Sequence, residues 1–227
     1  MKKLFGSKLS IAISVLLCVC LLCAVVLVNT VHASESYAVN SNLNKLMIEV
    51  DDSLRQRSDK AYSSNPYDYI EDNASYESIV NRGIPALPVI TDMLHSAAES
   101  GLREYILVIA AEEIAKIHLN SDEVYRWSSA KEWICEWDIF LRNLPVRVER
   151  IISDESASVK EKEGAIQEFG VMCLPYLKNA ITDGHSELQA VYDDLANFSV
   201  ANNAEAKSIT DDDLLTIKSM IDKVTVD

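Results

Sequence analysis

Apolar residues recur along this chain at helical spacing, in short runs punctuated by glycine and proline. The clearest stretch is Ser75–Leu119. Tyr76, Ile79 and Val80 stand at i, i+3 and i+4 and predict a short helix through Arg82. Gly83 ends it, because glycine takes the left-handed conformation at low cost. Pro85 suits the first turn of a second helix, where no backbone N–H is needed. Pro88 fits that turn if the helix begins at about Ile84 or Pro85, and otherwise marks a bend. Leu87, Ile90, Met93 and Leu94 form the inner face. A polar turn over Ser96–Gly101 leads to a third helix, Leu102 to about His118. Within it Tyr105–Ala111 is apolar nearly all round and too short to cross a bilayer, which predicts a central buried helix.

The same periodicity extends in both directions. Leu43, Leu46, Met47, Val50 and Leu54 mark one face of a helix over Ser36–Ser58. Asn65 and Pro66 open a short turn whose Tyr67, Tyr69 and Ile70 can anchor it. Ser121–Glu123 begins another turn. Ser129 and Glu132 then form a capping box for a long helix to about Ile151 or Ile152, interrupted by Pro145 as a kink or as a junction. Ser158 and Glu161 make a second box for a helix over Lys160–Phe169, stopped by Gly170. Val171–Ile181, with Pro175 near its start, and a helix capped by Ser186 follow. Ser199–Ser208 reads as a loop. Thr210 caps the last helix, where Leu214, Leu215, Ile217, Met220 and Ile221 point inward.

The N-terminus follows a different pattern. Lys2, Lys3 and Lys8 precede an almost continuously apolar run from Ile11 to Val28, and Val31-His32-Ala33 resembles a signal-peptidase site. Residues 1–33 therefore read as an export signal or, at this length, as a retained membrane anchor, with residues 34–227 outside the membrane in both cases. Cys18, Cys20 and Cys23 lack the small preceding residue of a lipidation site. Losing this segment removes three lysines and no acidic residue, taking the formal charge from −14 to −17. So acidic a surface repels nucleic-acid phosphate and anionic headgroups. Membrane contact then falls to the N-terminal segment alone, if it stays uncleaved.

Two segments match at a fixed offset. Gly83-Ile84-Pro85-Ala86-Leu87-Pro88 aligns with Gly170-Val171-Met172-Cys173-Leu174-Pro175, Ile79 with Ile166, Ile90 with Leu177 and Leu94 with Ile181. Stacked units of this kind, here about 75–119 and 160–198, bury for each other the apolar face that neither covers alone. An ordinary bundle also contains antiparallel helix pairs. The runs Asn65–Ile70, Ile79–Val80, Gly83–Pro88, Gly101–Leu107, Glu112–Ile114 and Trp127–Trp133 together resemble a group of uncharacterised exported proteins of Gram-positive bacteria. The glycine–apolar–Leu–Pro unit resembles a HEAT-type helical repeat. The resemblance implies a helical-repeat fold and supplies no catalytic residues to carry over. HEAT-type repeats act as binding scaffolds, which is an analogy of fold alone.

The side chains that could carry chemistry are few. Glu112 and Glu113 are neighbours on the central helix and do not share a face, so they read as packing carboxylates, one turning inward toward Arg103, Arg82 or a tryptophan. His95, His118 and His185 belong to no metal-binding motif, and Asp183–Glu187 lacks the alternating oxygens of a calcium loop. Ser128 stands three residues before Lys131 without the companion elements of a serine–lysine enzyme, and no nucleophile elbow, phosphate loop or dinucleotide fingerprint occurs. Export permits a disulfide between Cys135 and Cys173; two buried free thiols are the other reading. Trp127, Trp133 and Trp137 stand close together, with Glu132, Glu136 and Asp138 nearby. They read as core, or as an acid-rimmed aromatic groove for a basic peptide or a cell-envelope component.

These observations point to an all-α chain, a HEAT-like antiparallel helical array or else an irregular bundle. Gly83, Pro85, Pro88, Glu112, Glu113, Gly170 and Pro175 have structural roles in it. The expected function is non-catalytic binding of a protein or peptide, for which positive charge would suit, or scaffolding, with no cofactor or metal. The alternatives are a cell-envelope enzyme using carboxylates, or a structural accessory to a membrane partner.

Overall fold

The computed structural model describes residues 30–56, 63–121, 126–198 and 207–225, and the chain over them is all-α. The export segment's basic and apolar residues, and the turn at Asp122–Glu123, lie outside the described residues. Helix α1 covers residues 30–56. Val39, Leu43, Leu46 and Val50 line its buried face, spaced as one stripe of a helix requires. Leu54, expected on that stripe, is exposed, because the packing against α1 ends a turn earlier. The expected cleavage after Ala33 falls within α1, where Glu35 pairs with Arg82.

Four helices follow in the first half: α2 (Tyr67–Ile70), α3 (Ala74–Val80), α4 (Ala86–Ser96) and α5 (Leu102–Ala115). The Asn73 side chain caps α3 by accepting from the N–H groups of Ser75 and Tyr76. Gly83 has φ +70, and Pro88 is the third residue of α4, within the turn that needs no donor. Helix α5 is buried continuously from Ile106 to Glu112, as its uniformly apolar sequence predicts. Lys116 terminates it in the left-handed conformation.

Helix α6 (Ala130–Ser153) is the spine. It packs against α4 and α5 of the first half, and against α7 (Val159–Gln167), α8 (Leu174–Thr182) and α10 (Asp211–Thr225) of the second. Pro145 lies inside one unbroken helix and does not divide it in two. An aromatic line runs along α6 into the second half: Trp133 on Trp137 at 5.1 Å, Trp137 on Phe140 at 5.8 Å, and Phe140 on Phe169 at 6.4 Å. The Arg147 guanidinium sits 4.8 Å over the Phe169 ring. One apolar core thus extends from Val39 to Ile221.

In the second half, Ser158 and Glu161 cap α7 reciprocally, as their spacing predicts. Gly170, at φ +52, opens a 3-10 turn into α8. Helix α9 (Gln189–Ala196) is preceded by a 3-10 turn over Ser186–Leu188, and the Ser186 side chain does not cap it. A two-residue antiparallel pairing, Asn197 with Ser208 and Phe198 with Lys207, leads to α10. Thr210 caps α10 by exchanging bonds with Asp213. Leu215 is 65% exposed and not in the core, since α10 buries only the stripe Leu214, Ile217, Met220 and Ile221.

Candidate functional site

The expected tryptophan groove is not assembled. Trp133 and Trp137 are 0% and 1% exposed and join the two halves of the core. Glu132 is exposed, and its carboxylate accepts from the N–H and hydroxyl of Ser128, which hold it below its ordinary range. The Ser129 hydroxyl accepts from the Glu132 N–H, while the Glu132 carboxylate reaches back to the N–H of Ser128, so the expected reciprocal box is displaced by one residue. Glu136 is half-buried. Asp138 turns to α4, where its Oδ2 lies 2.9 Å from Nε2 of His95. Only Trp127 of the three tryptophans keeps part of its surface open.

Cys135 and Cys173 are both free thiols, Cys135 exposed on α6 and Cys173 buried in the 3-10 turn. Neither the disulfide nor a pair of buried thiols is formed. Burial pushes the Cys173 thiol up to about 12, and its Sγ lies 3.1 Å from the carbonyl of Gly170. A neutral buried thiol of this kind is inert.

The two glutamates of α5 have separate surroundings. Glu112 is 8% exposed. Its Oε1 accepts from Nε1 of Trp133 at 2.8 Å and from the Leu119 N–H at 3.2 Å, while its Oε2 accepts from Nδ1 of His118 at 3.2 Å. The carboxylate therefore ties the end of α5 to the following 3-10 turn, Leu119–Ser121, and to α6. The expectation of an inward-turned glutamate meeting a tryptophan describes this contact; Arg82 and Arg103 instead reach α1, at Glu35 and Asn44. Glu113 is half-buried and accepts from the Tyr76 hydroxyl at 2.6 Å. Burial first, and that hydrogen bond second, raise the Tyr76 phenol well above its ordinary range.

Around these carboxylates the fold gathers rings that the sequence reading treated separately. Tyr105 stands two helical turns before Glu112, on the same side of α5. Its ring meets Trp127 at 5.4 Å with a tilt of 52°. The Asn120 side chain holds the Trp127 backbone by bonding both its N–H and its carbonyl. Nε1 of Trp127 is buried with no acceptor, so ring contact positions this indole. Tyr67, on α2, is 53% exposed. Its phenol is raised above its ordinary range by burial and then by the charges of Glu112, Tyr105 and Glu113. Tyr67, Tyr76, Tyr105 and His118 are the members that sequence reasoning missed. The seven-residue spacing from Tyr105 to Glu112 was the available signal; the approach of Tyr67 and Trp127 had none.

The Tyr105–Trp127 pair leaves ring surface partly open. Among the described residues no group of three or more His, Cys, Asp or Glu side chains could hold a metal, and no helix is long and apolar enough to cross a membrane. No family model matches the chain, and neither a curated protein nor a solved structure matches it.

Proposed function

We propose that this protein is a non-catalytic, extracytoplasmic binding or scaffold domain, a two-unit HEAT-like helical array that engages a protein or peptide through the face of Tyr67, Tyr105 and Trp127. The observation that carries the reading is the partly open ring pair of Tyr105 and Trp127, in contact at 5.4 Å, beside core tryptophans that are fully covered. Aromatic side chains of this kind are the usual anchors of protein interfaces. Export, or tethering by the N-terminal segment, rests on Lys2, Lys3, Lys8 and the apolar run that follows them. A structural accessory role for a membrane partner is the second reading. It is favoured by the burial of Trp133 and Trp137, which leaves neither ring open to a ligand.

A photo-crosslinking residue in place of Tyr67 tests the choice in cells, with one in place of exposed Leu215 as the control. A discrete adduct at position 67, absent at 215, supports binding through this face. Equal adducts at both positions, or none at 67, overturn it and leave the accessory role.

A further inference from the structure

We infer that the N-terminal apolar segment stays attached, and that the first turns of α1 stand in the headgroup layer of a phospholipid bilayer. The inference rests on the extracytoplasmic reading above and assigns tethering where that reading left release open. The apolar run ends at Val28 and α1 begins at residue 30, so the fold starts almost where the run stops. The run from Ile11 to Val28 is longer than the about 7–15 residues of a signal core and reaches the length of a bilayer span. The bond expected to be cut, Ala33–Ser34, is held on both sides. On one, Nε2 of His32 lies 3.6 Å from Oδ2 of Asp92 on α4. On the other, the Glu35 carboxylate accepts from Nε and Nη2 of Arg82, just past α3. Proteolysis prefers exposed loops, and these residues form a docked helix. Cleavage there would strip His32 from Asp92.

The charge pattern at the base of α1 fits a lipid surface. Charged residues make up 25% of the chain, yet between Val28 and Lys45 only His32 and Glu35 can carry a charge near neutral pH. Both face partners on the body, so the stretch offers the bilayer no unpaired ion. Its other side chains are Asn, Ser, Thr and apolar groups, and charge returns with Lys45, Glu49, Asp51 and Asp52. Val31 and Tyr37 are exposed apolar side chains in this stretch. Tyrosine is enriched at the membrane–water boundary, where its ring sits among the headgroups. Helical side chains tilt toward the N-terminus, so the Tyr37 ring leans back toward the bilayer. Ile48, also exposed, lies on nearly the same side of α1 and about 16 Å farther along it. The acidic surface elsewhere is repelled by anionic headgroups, which leaves the contact to this base.

The full-length chain is made in a bacterial host, and its mass and N-terminus are read in the membrane and soluble fractions. The uncut chain is expected in the membrane fraction, resistant to carbonate washing. It is then reconstituted into phosphatidylcholine–phosphatidylglycerol vesicles brominated near the headgroups, and tryptophan fluorescence is followed. Tyr37→Trp should show quenching beyond that of the parent chain, and Ile48→Trp should show none. Both positions are exposed, so neither change disturbs the core. A chain that begins at Ser34 and is recovered free of membrane overturns the inference and leaves the extracytoplasmic reading in place. Equal added quenching at 37 and 48, or none at either, overturns the docked base of α1. Protection of exposed Cys135 from a membrane-impermeant maleimide in spheroplasts overturns the extracytoplasmic reading, and the inference with it.

Discussion

Gly83 and Gly170 occupy matching positions in the two halves of the chain, and the comparison separates what a local sequence signal does from what packing adds. Each ends a short helix, α3 or α7, and each has positive φ, +70 and +52. Each is followed by an i to i+3 turn into a proline-containing helix. Of the residues aligned between them, Ile79 and Ile166, Leu87 and Leu174, and Ile90 and Leu177 are all 0% exposed, whereas Leu94 is buried and Ile181 is half-buried. The surroundings of the two glycines nevertheless differ. A Cβ on Gly83 would meet nothing within 4 Å. A Cβ on Gly170 would lie 2.6 Å from the carbonyl oxygen of Lys116, 2.7 Å from Cγ2 of Ile117, and closer still to the carbonyl oxygen of Ala115. Gly83 is needed for its backbone conformation alone. Gly170 also lets the second half seat on the end of α5.

The largest expected effect comes from breaking the line that joins the halves. Trp137→Ala removes a fully buried ring stacked between Trp133 and Phe140 and should cost about 3–5 kcal/mol in denaturant unfolding. Gly170→Ala should cost about 3 kcal/mol, combining the left-handed strain with displacement of the α5 terminus. Removing the acceptor that ties α5 to α6, by Glu112→Ala, strands the indole N–H of Trp133 and the Leu119 N–H and should cost about 2 kcal/mol. Gly83→Ala carries the backbone term alone, about 1 kcal/mol. Equal losses at Gly83 and Gly170 in the same unfolding series would erase the distinction between the halves.

The smallest effect separates the caps of the corresponding helices. Helix α3 is capped by the neutral amide of Asn73, and α7 by Ser158 with the carboxylate of Glu161. The Ser158 hydroxyl first, and then its N–H, hold the Glu161 carboxyl below its ordinary range. A carboxyl lowered on folding stabilises the fold above its unfolded value and loses that contribution as pH falls through the folded value. Amide exchange in the first turn of α7 should therefore accelerate relative to α3 as pH drops below about 4. The difference should vanish in Glu161→Gln. A first turn of α3 that loosens in parallel would show that acid acts on the whole fold and not on this cap.

The elements themselves were legible in the sequence because their signals are local. Helical spacing, the glycines after α3 and α7, the prolines at the starts of α4 and α8, and the reciprocal caps at Ser158 and Thr210 each act within a few residues. The burial of α5 was also legible, since a helix apolar on every side must be covered. Tertiary structure decided which side of α6 closes onto the core, and so turned Trp133 and Trp137 from a groove into the junction between halves. It decided that Leu54 and Leu215 lie outside the core although both are apolar, because a stripe is buried only where a neighbour covers it. It also gave Glu112 and Glu113 opposite environments. Adjacent residues project from a helix about 100° apart, so one carboxylate entered the packing and the other reached the Tyr76 hydroxyl. No spacing along the chain encodes the meeting of Tyr105 and Trp127, which come from separate segments and approach only when the chain packs.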